Sequence, residues 1–185
     1  MAGTVTRVLR ALLVVLAACP AALADVRQAD QGSGTLTFVA EQAGAKFTGA
    51  FGSFQARLDF DPSNATRGSL HVTVATPSID TRDAERDEIL KSRDFFWTEK
   101  YPQALFHAER FETDDTGFRA LGELTIRGVT RPAAVRFTLA PATGASVMKG
   151  TASLRRLAFS LGQGDWSSTE WVGDEVEVRF ELKLR

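Results

Sequence analysis

Cysteine is nearly absent from this chain: the only one among 185 residues is Cys19, near the N-terminus. A disulfide framework and a thiolate metal centre are therefore excluded, and stability has to come from a hydrophobic core, which a chain of this length can build. Histidine is almost as scarce. His71 and His107 are far apart in sequence, and neither they nor the scattered acids Asp114 and Asp115 show the close ligand spacing of zinc motifs, so no metal is expected. No Gly-x-Ser-x-Gly elbow occurs, and both histidines fall on the polar phase of their segments, where they read as exposed side chains. An enzyme is not expected. A basic excess is missing too, with 22 Lys and Arg against 23 Asp and Glu, which argues against a nucleic-acid partner.

Long apolar runs are also lacking, apart from one at the start. Arg7 and Arg10 precede residues 11–18, which are wholly apolar, and Ala22-Leu23-Ala24 supplies the small residues of a cleavage site. The run is about half the roughly 20 residues of a membrane span, and Pro20 keeps it from extending, so residues 1–24 read as a secretory signal peptide. The rival reading is a lipoprotein signal, because Leu16-Ala17-Ala18-Cys19 resembles a lipobox in which Cys19 would be acylated. Cleavage after Ala24 leaves 20 basic residues against 23 acidic ones, a charge of about −3, on a single domain at residues 25–185.

What the rest of the chain has is alternation with period two, the pattern of strands with one buried face. From Val176 to Leu184 every even position is apolar and every odd one charged. The same alternation runs through Leu36, Phe38, Ala40; Ala56, Leu58, Phe60; Leu70, Val72, Val74; Ala120, Leu124, Ile126; and Ala133, Val135, Phe137, Leu139. Turn chemistry separates these runs at Asp61-Pro62-Ser63-Asn64, Asp114-Asp115-Thr116-Gly117 and Pro141-Ala142-Thr143-Gly144. Gly49 and Gly52 are read as a bend within one long strand from Ala45 to Phe60. The count is eight strands, predicting an all-β, antiparallel up-and-down barrel. A helix is predicted near residues 81–92, with Thr81 as N-cap and acids in its first turn. An outer-membrane barrel would need an apolar exterior, and the charges Glu175, Glu177, Arg179, Glu181 and Lys183 neither fit inside eight strands nor belong in lipid. An integral membrane protein is therefore not expected.

Around the helix the sequence becomes specific. Ser78-Ile79-Asp80-Thr81, Arg86-Asp87 with Leu90, Asp94-Phe95-Phe96, and Tyr101-Pro102 with Phe106 resemble the signature of the YceI-like family. Residues 122–130 resemble its strand-turn motif, and residues 44–51 through Phe60-Asp61-Pro62 its early strands, so the likeness covers nearly all of the chain after residue 24. It departs at Arg156-Leu157-Ala158-Phe159-Ser160, where the family often has Arg-x-Asp-Phe-Gly; Ala158 removes any ion pair that acid would make. The resemblance implies a lipocalin-like periplasmic barrel whose apolar tunnel holds a polyisoprenoid, either an isoprenoid quinone or an isoprenoid phosphate, for transport, storage or sequestration, with no cofactor beyond that lipid.

The residues themselves fit such a tunnel. Among 13 phenylalanines, Phe38, Phe47, Phe54, Phe60, Phe106, Phe137, Phe159 and Phe180 fall at inward positions, joined by Val72, Val74, Leu124 and Ile126 and by the aromatic cluster Phe95, Phe96 and Trp97. Arg82, Arg86, Asp87 and Arg127 are the candidates for contact with a polar head group, since an arginine can meet a phosphate in two places. The competing account is a solid core of packed phenylalanines in a stress-related structural or interaction module without a ligand. Dimerisation is left open.

Overall fold

The structure, a computed structural model, describes residues 26–29 and 33–185. The expected signal peptide, its expected cleavage site and Cys19 lie outside the described residues. Eleven antiparallel strands form one curled sheet: β1 Val26–Ala29, β2 Gly34–Gln42, β3 Ala45–Phe51, β4 Phe54–Phe60, β5 Gly68–Ala75, β6 Ile79–Asp80, β7 Gln103–Asp114, β8 Gly117–Ile126, β9 Val129–Ala142, β10 Ala145–Arg155 and β11 Glu175–Leu184. Their order across the sheet is β1-β4-β5-β7-β8-β9-β10-β11-β2-β3-β6.

The expected count of eight is thus corrected to eleven, for a physical reason. The run from Ala45 to Phe60 breaks at Gly52-Ser53, and its halves pair at opposite ends of the sheet: β3 with β2, β4 with β5. Two short strands, β1 on β4 and β6 on β3, complete the total. Gly49 is not part of the break. It sits inside β3 beneath the Phe38 ring, where an added Cβ would lie 2.3 Å from Phe38 Cζ, so only glycine lets that ring lie flat across the strand.

The two faces divide as the alternation requires. In β4, Phe54, Ala56, Leu58 and Phe60 are buried, while Gln55 and Arg57 are exposed. A bulge at Glu109 in β7 shifts the phase: Phe106 and Ala108 point inward before it, and Phe111 after it. Surface ion pairs such as Arg179–Glu177 and Lys149–Glu181 lie on the outer face and contribute little individually.

One helix, α1 (Ala84–Lys91), lies between β6 and β7. Its N-cap is Asp83, not Thr81: the Arg86 N–H donates to Asp83 Oδ1 at 3.1 Å. Arg82, with φ +59°, turns the chain away after Asp80, which delays the first helical residue. Thr81 is instead clamped from within the helix, its N–H and hydroxyl both donating to Asp87 Oδ1 at 2.8 and 2.7 Å. Here the short polar turn, rather than the capping-box pattern, sets the boundary.

Candidate functional site

The interior is solid at one end and hollow at the other. At the end holding the β7–β8 turn, Phe60, Phe111, Phe118 and Phe137 stack with ring centroids 4.8 to 6.3 Å apart, and Leu58 and Leu184 fill the space around them. Toward α1 a cavity of about 200 Å³ opens between the same strands. Its wall is almost wholly apolar and draws on β2 to β5, β7 to β11, α1 and the segment after it.

Most of the apolar residues named from the sequence meet there. Phe38, Phe47, Phe54, Val72, Val74, Phe95, Phe96, Phe106, Leu124, Ile126 and Phe180 all line the cavity. Phe60 and Phe137 do not: they belong to the solid end, because the strands run past the cavity before reaching them. Phe159 is 3% exposed in a satellite cluster with Phe95 and Ile126, behind the wall rather than on it. Trp97 lies outside, edge-on to Tyr101 with Lys100 Nζ 4.5 Å from its ring centroid, since its backbone at φ +46° turns it away from Phe95 and Phe96.

Beyond the cavity, α1 borders a second space of about 270 Å³ that shares Phe47, Leu90, Phe95 and Val172 with the first. Its rim is polar, with Gln42, Asp83, Glu85 and Arg86. Of the head-group candidates only Arg86 reaches this rim. Its guanidinium lies 4.3 Å from the Phe47 ring centroid, and it bonds Gln42 and Asp83 at 3.2 and 3.1 Å. Asp87 is occupied by Thr81, and Arg82 is exposed on the turn before the helix. Arg127 ties two loops together by donating to the carbonyls of Ser160 and Arg93.

Sequence reasoning passed over Phe51, Leu90, Met148 and Val176 on the wall, and one charge: Arg156. Only 3% exposed, its guanidinium donates to the carbonyls of Gly173, Leu161, Ser168 and Val172 at 2.8 to 3.1 Å. Burial pushes its pKa down, and the Asp174 carboxylate opposes that shift. Asp174 itself accepts the Leu157 N–H at 3.0 Å, so the loop is pinned without the acid that Ala158 lacks. The residues around the cavity can hold an apolar molecule; neither histidine is among them.

The fold and cavity define a class: an antiparallel sheet curled around an apolar chamber, with most of its charged side chains on the outer face. The chain belongs to the YceI-like domain family, whose model matches residues 28–184. It is 34% identical over 137 residues to Protein YceI of Escherichia coli O17:K52:H18, a match covering 73% of this chain and 60% of that protein, so it spans less than two thirds of that relative's length. BcnA of Burkholderia cenocepacia superposes with a TM-score of 0.80 at 29% identity, covering 85% of this chain and 99% of BcnA. A Saccharophagus degradans domain, described as polyisoprenoid binding and implicated in plant cell wall breakdown, superposes with a TM-score of 0.66 at 16% identity, covering 88% of this chain and 98% of that domain. At that identity the likeness is one of fold. No described helix is long and apolar enough to cross a membrane.

Proposed function

We propose that the protein is a binding protein that holds a long apolar lipid of the polyisoprenoid class, without catalysing a reaction, in the periplasm after export by its N-terminal signal. The observation that carries this reading is the cavity of about 200 Å³ with an apolar wall, left open in an interior that is elsewhere packed with phenylalanine. A core meant only to be stable would close that space, since each unfilled volume costs contacts. The solid end supports the ligand-free account only for its own half of the molecule.

Size sets what fits. An apolar cavity of about 150 Å³ takes one benzene, so about 200 Å³ encloses roughly one or two isoprene units. A longer chain would continue into the second space beside α1, which puts its polar end near Gln42 and Arg86. Each buried methylene-sized group contributes about 0.8 kcal/mol, so a few units suffice for firm binding without polar contacts. Arg86 is already paired with Asp83, and Glu85 is close by, so the rim is of mixed charge. This favours an uncharged polar head such as a quinone over a phosphate.

Native mass spectrometry of the protein purified from its own periplasm without detergent, followed by organic extraction, tests the reading. A stoichiometric prenyl lipid is the expected result. A protein that emerges empty and takes up no added polyisoprenoid would overturn it.

A further inference from the structure

His71 on β5 and His107 on β7 stand directly opposite each other on the outer face of the sheet, with their Nδ1 atoms 2.9 Å apart and ring centroids 4.2 Å apart. Two imidazole lone pairs meet at that distance only when a proton or a cation lies between them. Glu109, the extra residue of the β7 bulge, places Oε1 3.4 Å from His107 Nε2. A carboxylate there lies beyond ordinary hydrogen-bond length but adds negative charge beside the pair, which favours a bound cation.

We propose that His71 and His107 form a surface site for a divalent transition metal, with copper(II) preferred. Metal–nitrogen bonds of about 2.0 to 2.1 Å at right angles put two cis ligands about 2.9 Å apart, whereas tetrahedral angles require about 3.3 Å. The observed spacing therefore suits a tetragonal ion as it stands, and a tetrahedral one only after the rings part by a few tenths of an ångström. The affinity order of divalent metals for nitrogen ligands points the same way.

The surroundings agree. Pairing across the sheet sets Arg57, His71, His107 and Glu123 in one exposed row, and Glu109 adds a second carboxylate against the one guanidinium. No group of three His, Cys, Asp or Glu among the described residues is arranged to hold a metal, so the protein supplies two ligands and water the rest. The neighbouring pair Val72 and Phe106 faces the cavity, which leaves the metal site on the other side of the sheet from the proposed lipid and independent of it.

Untagged protein titrated with copper(II) sulfate, followed by electron paramagnetic resonance, tests this. One copper per chain with two equatorial nitrogens is expected, with nickel(II) and zinc(II) bound more weakly. His71→Ala and His107→Ala should each weaken copper binding at least about tenfold and the double variant further still, while Glu109→Gln weakens it by a smaller factor with both nitrogens retained. Circular dichroism establishes that these surface variants fold. Copper bound equally by the double variant, zinc bound more tightly than copper, or no stoichiometric copper at all would each overturn the proposal.

Discussion

Arg156 shows how one side chain can hold a loop that the strand pattern does not account for. Its four carbonyl partners come from residues 161–173, the irregular segment between β10 and β11, and Gly162 at φ +87° leaves room for the guanidinium, 2.0 Å from where a Cβ would stand. Replacing Arg156 with leucine would leave the buried carbonyls of Leu161 and Val172 without that donor. The expected loss is about 3–5 kcal/mol, read as a lower urea midpoint, and Arg156→Lys should not restore it, because one ammonium cannot span four acceptors. A leucine variant within about 1 kcal/mol of the parent would refute this role. Two turn aspartates allow a gentler test. The Ser63 hydroxyl and N–H hold the Asp61 carboxyl below its ordinary pKa, and Thr116 does the same for Asp114. A carboxyl whose pKa is lowered by folding adds stability that is fully present above its unfolded pKa, near 3.9, and is lost as pH falls through the lower folded value. The D61A/D114A double variant should thus be less stable than the parent at pH 6, and the gap should close below about pH 4 in parallel thermal melts. A gap that widened on acidification would contradict the assignment.

Strands were legible in the sequence because their alternation is a local property; their number was not, because it depends on where a strand changes neighbours. The inward phases of β5, β8 and β11 followed directly from Leu70, Leu124 and Phe180. The bulge at Glu109 left no pattern in composition, and it decides both that Phe111 points inward and that Glu109 reaches His107. Likewise the wall position of Phe106 could be read from alternation, whereas the absence of Phe60 and Phe137 from the cavity could not. All three alternate correctly and differ only in height along the sheet. Histidines far apart in sequence became neighbours through the pairing of β5 with β7, which no spacing motif encodes. Gly49 tests how far β2 and β3 work as a unit. Gly49→Ala would push Phe38 off the cavity wall at a cost of about 1–3 kcal/mol, while a substitution at the exposed turn residue Gly44 would leave that ring in place. Equal losses of Phe38 packing in the two variants, judged from its aromatic NMR resonances, would show that Gly49 is not the seat of the ring.

At the scale of the whole molecule, stability and ligand capacity compete for the same interior. The Phe60 cluster supplies rigid packing at one end, which lets the other end remain hollow without collapse. Stability and binding should therefore respond in opposite directions to a side chain added to the hollow. Ala152 lies on the cavity wall in β10, paired with Val178 of β11. Ala152→Trp would fill much of the cavity with an apolar ring, adding roughly 150–250 Å² of buried aromatic surface if the ring enters cleanly. The expected outcome is a protein that melts at the parent's temperature or above it when both are stripped of lipid, yet retains less than a tenth of the prenyl lipid after purification or reloading. A comparable substitution at the solid end, Ala120→Trp, would instead overpack a fully buried position and lower stability, because no space waits there. If Ala152→Trp kept its full lipid content, the lipid would have to bind elsewhere, and the apolar chamber would no longer explain the function.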